Sequence, residues 1–442
     1  MYTYNDLQKI GDNSGKIKFI QNVISAHESS EMYRNGAISG LFYRGLDPDL
    51  EAIKKVVYDR NGNAHADTVS PNHKLTSNIY HLLINQLVSY QLGNGVSFSN
   101  PELKKSLGGT EFDYILQQIL IYAANDGEAY GLVTDEGILP MCYACKVNGN
   151  EPVFVPLRDE DDGTLRAGVR YWRLSSDRPL RATLYEVDGC TEYKTDNAGN
   201  LQIYRQKTPY RVRRHHSQAE GTFLTCDNNY PTFPIVSMGF INNQSSIVGN
   251  RGKLFAYDVV LSGLVNCIDA NTVYWTLRNA EGMSPQDDLN LVADIIYRRI
   301  IHTPEDVELK KEEITTNHEA FVAVLGVLRR QIFTDFCAVD TESISAQNVT
   351  TVAIKAAYEN LNLKCDEIER YISAFIRGCL KVKGFDENEP FHFKRPNNIN
   401  ELEYITKIAA ISAQIGDEMA TRLIYEALGL IDEYTPGINN EF

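Results

Sequence analysis

A chain of 442 residues, 43% of them hydrophobic, has enough apolar side chain for a large buried core and enough length for roughly three domains. Its 43 Lys and Arg stand against 58 Asp and Glu, and the resulting net charge of −15 argues against tight, nonspecific capture of phosphate backbones, so any nucleic-acid contact is expected to be loose or local. No apolar run approaches the ~18–20 residues of a membrane span, the N-terminus MYTYNDLQKIGDNSGK lacks the basic-then-apolar order of a secretory signal, and eight cysteines scattered through apolar segments imply a reducing compartment rather than a disulfide framework.

The first third reads as helical. In NHKLTSNIYHLLINQLVSYQL, Leu75, Ile79, Leu82, Leu83, Leu87 and Tyr90 fall near 3.6 spacing, and Gly93, Asn94 and Gly95 end the run. A second helix is expected over 110–125, with Thr110 as N-cap, Asp113 at the capping-box position and Phe112, Ile115, Leu116, Ile119 and Leu120 as its apolar side. From about 128 to 241 the period shifts towards two, with turns at Asp135-Glu-Gly137, Asp161-Asp-Gly163 and Asp188-Gly189, which predicts a β-rich insert of hairpins. Residues 242–252 form a polar linker.

Beyond the linker, Leu254, Tyr257, Leu261, Leu264, Ile268 and Trp275 predict a long amphipathic helix over 253–280. Residues 281–316, with Gly282, Pro285 and Pro304 around an apolar stretch, read as a small α/β excursion, and Phe321, Leu325, Leu328 and Ile332 carry a second long helix. A polar loop is expected at 337–350. The longest periodic run follows, on Ile354, Tyr358, Leu361, Cys365, Ile368, Ile372, Phe375 and Cys379, and helical segments are expected near 400–415 and 418–428.

Motifs that could carry chemistry fail on their spacing. Gly249-Asn-Arg-Gly-Lys253 lacks both the earlier Gly and the following Ser or Thr of a phosphate loop. His27-Glu28 and His318-Glu319 each lack a second His one turn on, which leaves them as solvated helix residues. Cys142-Tyr-Ala-Cys145 has metal-ligand spacing without a second pair, so buried structural cysteines are the simpler reading. The dense basic group Arg211, Arg213, Arg214, His215 and His216, placed on a hairpin turn, reads as a solvated face or protein contact. No nucleophile, base and orienting partner assemble, so catalytic, cofactor and metal sites are not expected.

Several short segments, weak singly, occur in a specific order: Tyr43-Arg-Gly45, Asn72-His-Lys-Leu-Thr-Ser-Asn-Ile-Tyr80, Ser89-Tyr-Gln-Leu-Gly93, Asp126-Gly-Glu-Ala-Tyr130, Pro234-Ile-Val236, Asn242-Asn243, Ala256-Tyr-Asp258 and Leu261-Ser262. Over nearly the whole chain this order resembles the portal proteins of tailed bacteriophages, in particular the compact portals of phages of Gram-positive bacteria. Asn94-Gly95 stands where that family typically has Lys-Pro. The resemblance implies an α+β, mainly helical fold in which 1–252 form a wing, 253–280 and 317–336 a two-helix stem, 281–316 a clip, 337–350 a tunnel loop, 351–384 a long wing helix and 385–442 a short crown.

It further implies a homo-oligomeric ring of about twelve copies at a capsid vertex. Double-stranded DNA would be packaged, retained and ejected through it, and ATP hydrolysis would belong to a separate terminase. Terminase, head-completion or adaptor proteins, and major capsid and scaffolding proteins would be its partners, with assembly in the host cytoplasm and no membrane. Thr341, Ser343, Ser345, Gln347, Asn348 and Thr350 become the DNA-facing candidates, and Ile295, Tyr297, Arg298, Arg299 and Ile301 the clip docking candidates. A hydroxyl- and amide-rich loop suits a conduit, because each phosphate neutralised by Lys or Arg would add counterion-release free energy and slow passage. The rival readings are another structural virion protein or a metal-dependent hydrolase or nuclease, the latter requiring a tight Asp/Glu/His constellation that the sequence lacks.

Overall fold

A computed structural model of the chain describes residues 2–58, 62–68, 70–217, 221–226, 229–269, 273–278, 284, 286–287, 289–290, 308–313, 318–342, 351–395 and 419–423. In chain order the elements are helices α1 (Tyr4–Gln8), α2 (Asn13–Glu28), α3 (Glu31–Tyr43) and α4 (Pro48–Ala52), then strands β1 (Val56–Tyr58) and β2 (Ala64–Ala66). Next come α5 (Ile79–Leu92), β3 (Val96–Phe98), α6 (Pro101–Ser106) and α7 (Glu111–Asp126). Strands β4 (Glu128–Val133), β5 (Ile138–Cys142), β6 (Val153–Arg158), β7 (Leu165–Trp172), β8 (Arg181–Glu186), β9 (Gly189–Thr195), β10 (Leu201–Thr208), β11 (Val212–Ser217), β12 (Gly221–Cys226) and β13 (Ile235–Gly239) follow. The rest are α8 (Arg251–Asp269), β14 (Val273–Arg278), β15 (Glu308–Glu313), α9 (His318–Asp335), α10 (Thr351–Lys383) and β16 (Phe391–Phe393). The fold is α+β and divides into two compact units, one of 1–46, 78–251 and 332–442, the other of 47–77 and 252–331.

The first unit is built on one eight-stranded sheet, ordered β10-β9-β8-β7-β6-β5-β4-β13. Neighbouring strands are antiparallel except β5 and β6, which meet in parallel at Cys142 and Val153. Tyr130, Met141, Tyr143, Phe154, Tyr185 and Ile235 form an apolar cluster along it. Helix α7 delivers the chain to this sheet: Phe112, Leu116, Ile119, Leu120 and Ala123 are fully buried on its inner face, as 3.6 periodicity requires. Gly127 ends the helix in the left-handed region (φ 92°), where any Cβ would stand 2.6 Å from the carbonyl oxygen of Asn243. Helix α10 packs against β4 and β13, at the same end of the sheet, by interlocking gaps. A Cβ on Gly131 would lie 2.7 Å from Phe375, and a Cβ on Gly378 would lie 2.6 Å from Val236.

Helix α3 comes closest. Gly40 lies against the backbone of Cys145, so that a Cβ there would be 1.6 Å from its carbonyl oxygen, and a Cβ on Gly36 would be 2.2 Å from Asp126 Oδ1. Between these two glycines Ser39 shares a hydrogen bond with Tyr80 Oη (2.6 Å) and donates to Asn125 Oδ1 (2.7 Å). Asp126 Oδ2 accepts the amides of Tyr143 (2.8 Å) and Ala144 (3.0 Å), tying the end of α7 to the turn after β5.

In the second unit, one face of α8 presents Asp258, Ser262 and Asn266 at successive turns to an extended segment. Asp258 Oδ1 accepts the amide of Ser77 (2.9 Å), Ser262 Oγ that of Leu75 (2.9 Å) and Asn266 Oδ1 that of His73 (2.7 Å). The backbone donors of a segment with no sheet partner are thereby satisfied. A Cβ on Gly263 of α8 would come within 3.3 Å of Phe321 on α9, which brings the two helices together at that turn.

Several expectations need correction. The helix expected over 253–280 stops at Asp269, and 273–278 pair instead as β14 with β15; Val, Tyr, Trp and Thr are strand formers, and the seven-residue step from Ile268 to Trp275 was no proof of a continuous helix. Leu75 precedes α5 rather than joining it. Thr110 makes no side-chain cap, its backbone being already helical (φ −66°, ψ −29°) rather than extended, and the Asp113 carboxylate that would complete a capping box is engaged by the amide of Val96 (3.1 Å) and by Lys104 (2.6 Å). His27 is not solvated but buried, with Nδ1 3.0 Å from Tyr171 Oη, and burial pushes it down to about 3. Residues 212–217 of the basic group form a strand, not a turn. The helices expected over 400–428 lie outside the described residues except for 419–423, which are helical.

Gly40→Ala is expected to destabilise the protein by at least ~1–3 kcal/mol in chemical denaturation, since a backbone carbonyl cannot step aside. Gly326→Ala, with nothing within 4 Å of the added methyl, should instead be neutral or stabilise by up to about 1 kcal/mol. Burial pushes the carboxyl of Asp258 up to about 6, with the charge of Asp47 adding to the rise against the pull of Ser77. A carboxyl harder to ionise in the fold takes up a proton on folding, so its contribution falls as pH rises from the ordinary carboxylate value of about 4 to about 6. Asp258→Asn, which retains an acceptor for Ser77, should flatten that slope and raise stability at neutral pH by up to about 3 kcal/mol, read from denaturation midpoints across pH.

Candidate functional site

The polar stretch after α9 is reached through a rigidly held entry in the first unit. Phe336 is buried and meets Tyr80 edge-on, with ring centroids 5.8 Å apart. Cys337 takes a positive φ of 55°, which turns the chain off the helix axis. Two residues later Val339 is clamped by the Gln86 side chain: its amide donates to Gln86 Oε1 (3.0 Å) and its carbonyl accepts from Gln86 Nε2 (2.8 Å). Lys364, on α10, donates to the carbonyl of Phe336 (2.7 Å) and sits over its ring at 5.3 Å. Burial lowers the pKa of this ammonium, so its charge is held by a carbonyl dipole and a ring face rather than by water.

Beside this entry lies an open cleft of about 430 Å³, with Asn242, Gln244 and Asn250 on one wall and Asp335, Asn360 and Lys364 among the opposing residues. Farther along, α10 is a single helix of 33 residues, about 50 Å at 1.5 Å per residue. Leu361, Cys365, Ile368, Ile372, Phe375 and Cys379 of its periodic run are all buried. Arg395, after β16, bridges Asp366 and Glu369 on that helix (2.5 Å each).

Of the DNA-facing candidates, Thr341 is exposed and, with Glu342, helical; Ser343, Ser345, Gln347, Asn348 and Thr350 lie outside the described residues. Ile295, Tyr297, Arg298, Arg299 and Ile301 of the docking set lie outside them as well. In the basic group, Arg211 is committed locally, paired with Asp135 (3.1 Å) and stacked over Tyr230 (5.7 Å). Sequence reasoning missed the Gln86 clamp and the Asp258, Ser262, Asn266 ladder. Polar residues at i, i+4 and i+8 of α8 were the available signal for the ladder, whereas the clamp joins residues 253 positions apart and leaves no local trace.

The short segments singled out in the sequence now have physical roles. Asp126 caps the turn after β5, Gly127 makes room for Asn243, Glu128 pairs with Arg158, and the buried Tyr130 donates to Glu128 (2.9 Å). Asn242 and Asn243 take positive φ of 55° and 50°, values that Asn tolerates better than most residues. Tyr43 donates to Asn85 (2.8 Å) as α3 ends.

The family described as "Phage portal protein, SPP1 Gp6-like" matches residues 41–382. The chain is 24% identical over 379 residues to the portal protein of Bacillus phage SPP1, covering 81% of this chain and 70% of that protein. It is also 24% identical over 344 residues to the portal protein of Clostridium phage phiCD119, covering 72% of each. A solved chain from the neck of an empty GTA particle superposes with a TM-score of 0.41 at 10% identity, over 79% of this chain and 90% of that one. With the family match running from the end of α3 through nearly all of α10, this chain belongs to the SPP1 Gp6-like phage portal proteins.

Proposed function

We propose that copies of this portal protein stand side by side in a closed ring of about twelve at a capsid vertex, and that double-stranded DNA is packaged, held and released through its centre. The family is a structural one, so the work of translocation falls to a separate terminase docked on the ring. The observation that carries the ring reading is the surface of α9. Val322, Val324 and Val327 are 62%, 45% and 63% exposed and are spread around the helix on either side of the partly buried stripe of Phe321, Leu325 and Leu328. A helix apolar on both sides needs cover on both, and the next copy supplies it at a cyclic interface.

The polar stretch 341–350 is then the part that approaches DNA, and 281–316 the part that receives terminase and head-completion proteins. Hydroxyls and amides give the loop short contacts with phosphate, while the Gln86 clamp and Lys364 fix the point from which it projects. Capsid and scaffolding proteins would meet the wing and crown as the ring is built into the head, in the host cytoplasm.

Native mass spectrometry and negative-stain imaging of the purified protein are expected to give rings of about twelve with a central hole; monomers or dimers under every condition would overturn the reading. Val322→Asp with Val327→Asp should leave the monomer's circular dichroism intact and abolish the ring. Acidic substitutions at Ser345, Gln347 and Asn348 are expected to leave the ring intact and lower DNA packaged per particle, measured by nuclease protection; loss of the ring in these variants would remove the loop from its proposed role.

A further inference from the structure

Cys142 ends β5, Cys145 stands in the turn that follows, and Asp126 closes α7. One carboxylate oxygen and the two Sγ atoms lie within 4.8 Å of one another, and all three residues are buried. The spacing Cys-x-x-Cys puts both sulfurs on one side of the turn, and α7 supplies the third group from a different element. The turn is fixed independently of any ion: Asp126 Oδ2 accepts the amides of Tyr143 and Ala144, and Lys146 takes a positive φ of 42° directly after Cys145. Gly36 and Gly40 of α3 close the space from the far side without a Cβ.

A cap explains only half of the carboxylate. Asp126 Oδ1 accepts no hydrogen bond although the residue is 1% exposed, and a buried carboxylate oxygen ordinarily has a partner. Inert cysteines would explain the two thiols as small apolar groups, but not why a buried carboxylate stands within 4.8 Å of both sulfurs.

We propose that Asp126, Cys142 and Cys145 bind one zinc-like divalent cation through two thiolates and a carboxylate oxygen, fastening the end of α7 to the turn after β5. Two sulfurs and one oxygen suit zinc better than magnesium or calcium, which prefer all-oxygen shells. The Cys142 thiol now donates to the carbonyl of Pro152 at 3.6 Å, so that a backbone oxygen stands at the edge of the cluster for the fourth position. On binding, the two thiol protons leave to solvent and two metal–sulfur bonds form, with no change of oxidation state. The site makes no use of the ring or of DNA and stands independently of the proposed function.

The test uses the full-length protein expressed in zinc-supplemented medium, purified under reductant and gel-filtered, with zinc measured by plasma mass spectrometry. Close to one zinc per chain is expected, falling at least tenfold in Cys142→Ser with Cys145→Ser and in Asp126→Asn. Protein produced with cobalt instead should show a thiolate-to-cobalt charge-transfer band that the double variant lacks. The wild-type zinc content and cobalt spectrum decide the matter even if the variants fold poorly. Wild-type zinc below about a tenth per chain, zinc unchanged in the double variant, or a Cys142–Cys145 disulfide found by mass in metal-free protein would each overturn the assignment.

Discussion

At Gly40 the backbone of α3 rests on the carbonyl of Cys145 with no room for a methyl between them, and the first unit is organised around that approach. A helix can come so near a turn only if the turn is rigid. Asp126 makes it rigid by gathering the amides of Tyr143 and Ala144 at the end of α7. Asp126 must therefore be placed by α7, whose next residue, Gly127, has to turn sharply into β4 against the backbone of Asn243. The linker that bears Asn243 leads within eight residues to the start of α8. From one contact, helix, turn, sheet and linker follow as consequences.

The same region illustrates what could be read in the sequence. Asp126-Gly-Glu-Ala-Tyr130 and Asn242-Asn243 were separate fragments of a resemblance, and the fold brings them together because Phe240 donates its amide to the carbonyl of Gly127 (2.9 Å) and Ser246 to that of Ala124 (2.9 Å). Residue type is constrained at Gly127, where a Cβ would stand 2.6 Å from the carbonyl oxygen of Asn243. Long amphipathic helices were legible because burial on one side repeats every 3.6 residues, which α10 does from Leu361 to Cys379. The switch from α8 to β14 was not legible, since one apolar residue seven positions on satisfies a helix face without requiring a helix.

Polar letters misled where they had distant partners. Thr110 and Asp113 have the spacing of a capping box, but Lys104 and the amide of Val96 compete for the carboxylate at 2.6 and 3.1 Å. His27 looked like a solvated helix residue, yet it faces Tyr33, Tyr143 and Tyr171 with centroids 4.9, 4.3 and 5.8 Å away. In both cases the deciding partner lies on another element, where local sequence carries no signal. The stretch 341–350 is a different matter: the resemblance implied that it faces DNA, whereas Gln86, Val339 and Lys364 define only the point from which it departs.

Net negative charge alone would not prevent a few well-placed lysines from gripping a polyanion, so what individual cations on and beside α10 are doing matters more than the total. Lys364 is taken up by the carbonyl and ring of Phe336. Arg395 is taken up by Asp366 and Glu369. Lys383, at the far end of α10, donates to the carbonyls of Thr134 and Asp135. Each of these charges stiffens the scaffold from within, and an ammonium already held by a carbonyl must give up that bond before it can meet a phosphate. Counterion release rewards only phosphates that are actually neutralised. Lys364, Lys383 and Arg395 are in this way committed to the scaffold of α10 and its neighbours, and a phosphate would have to displace an existing partner at each of them.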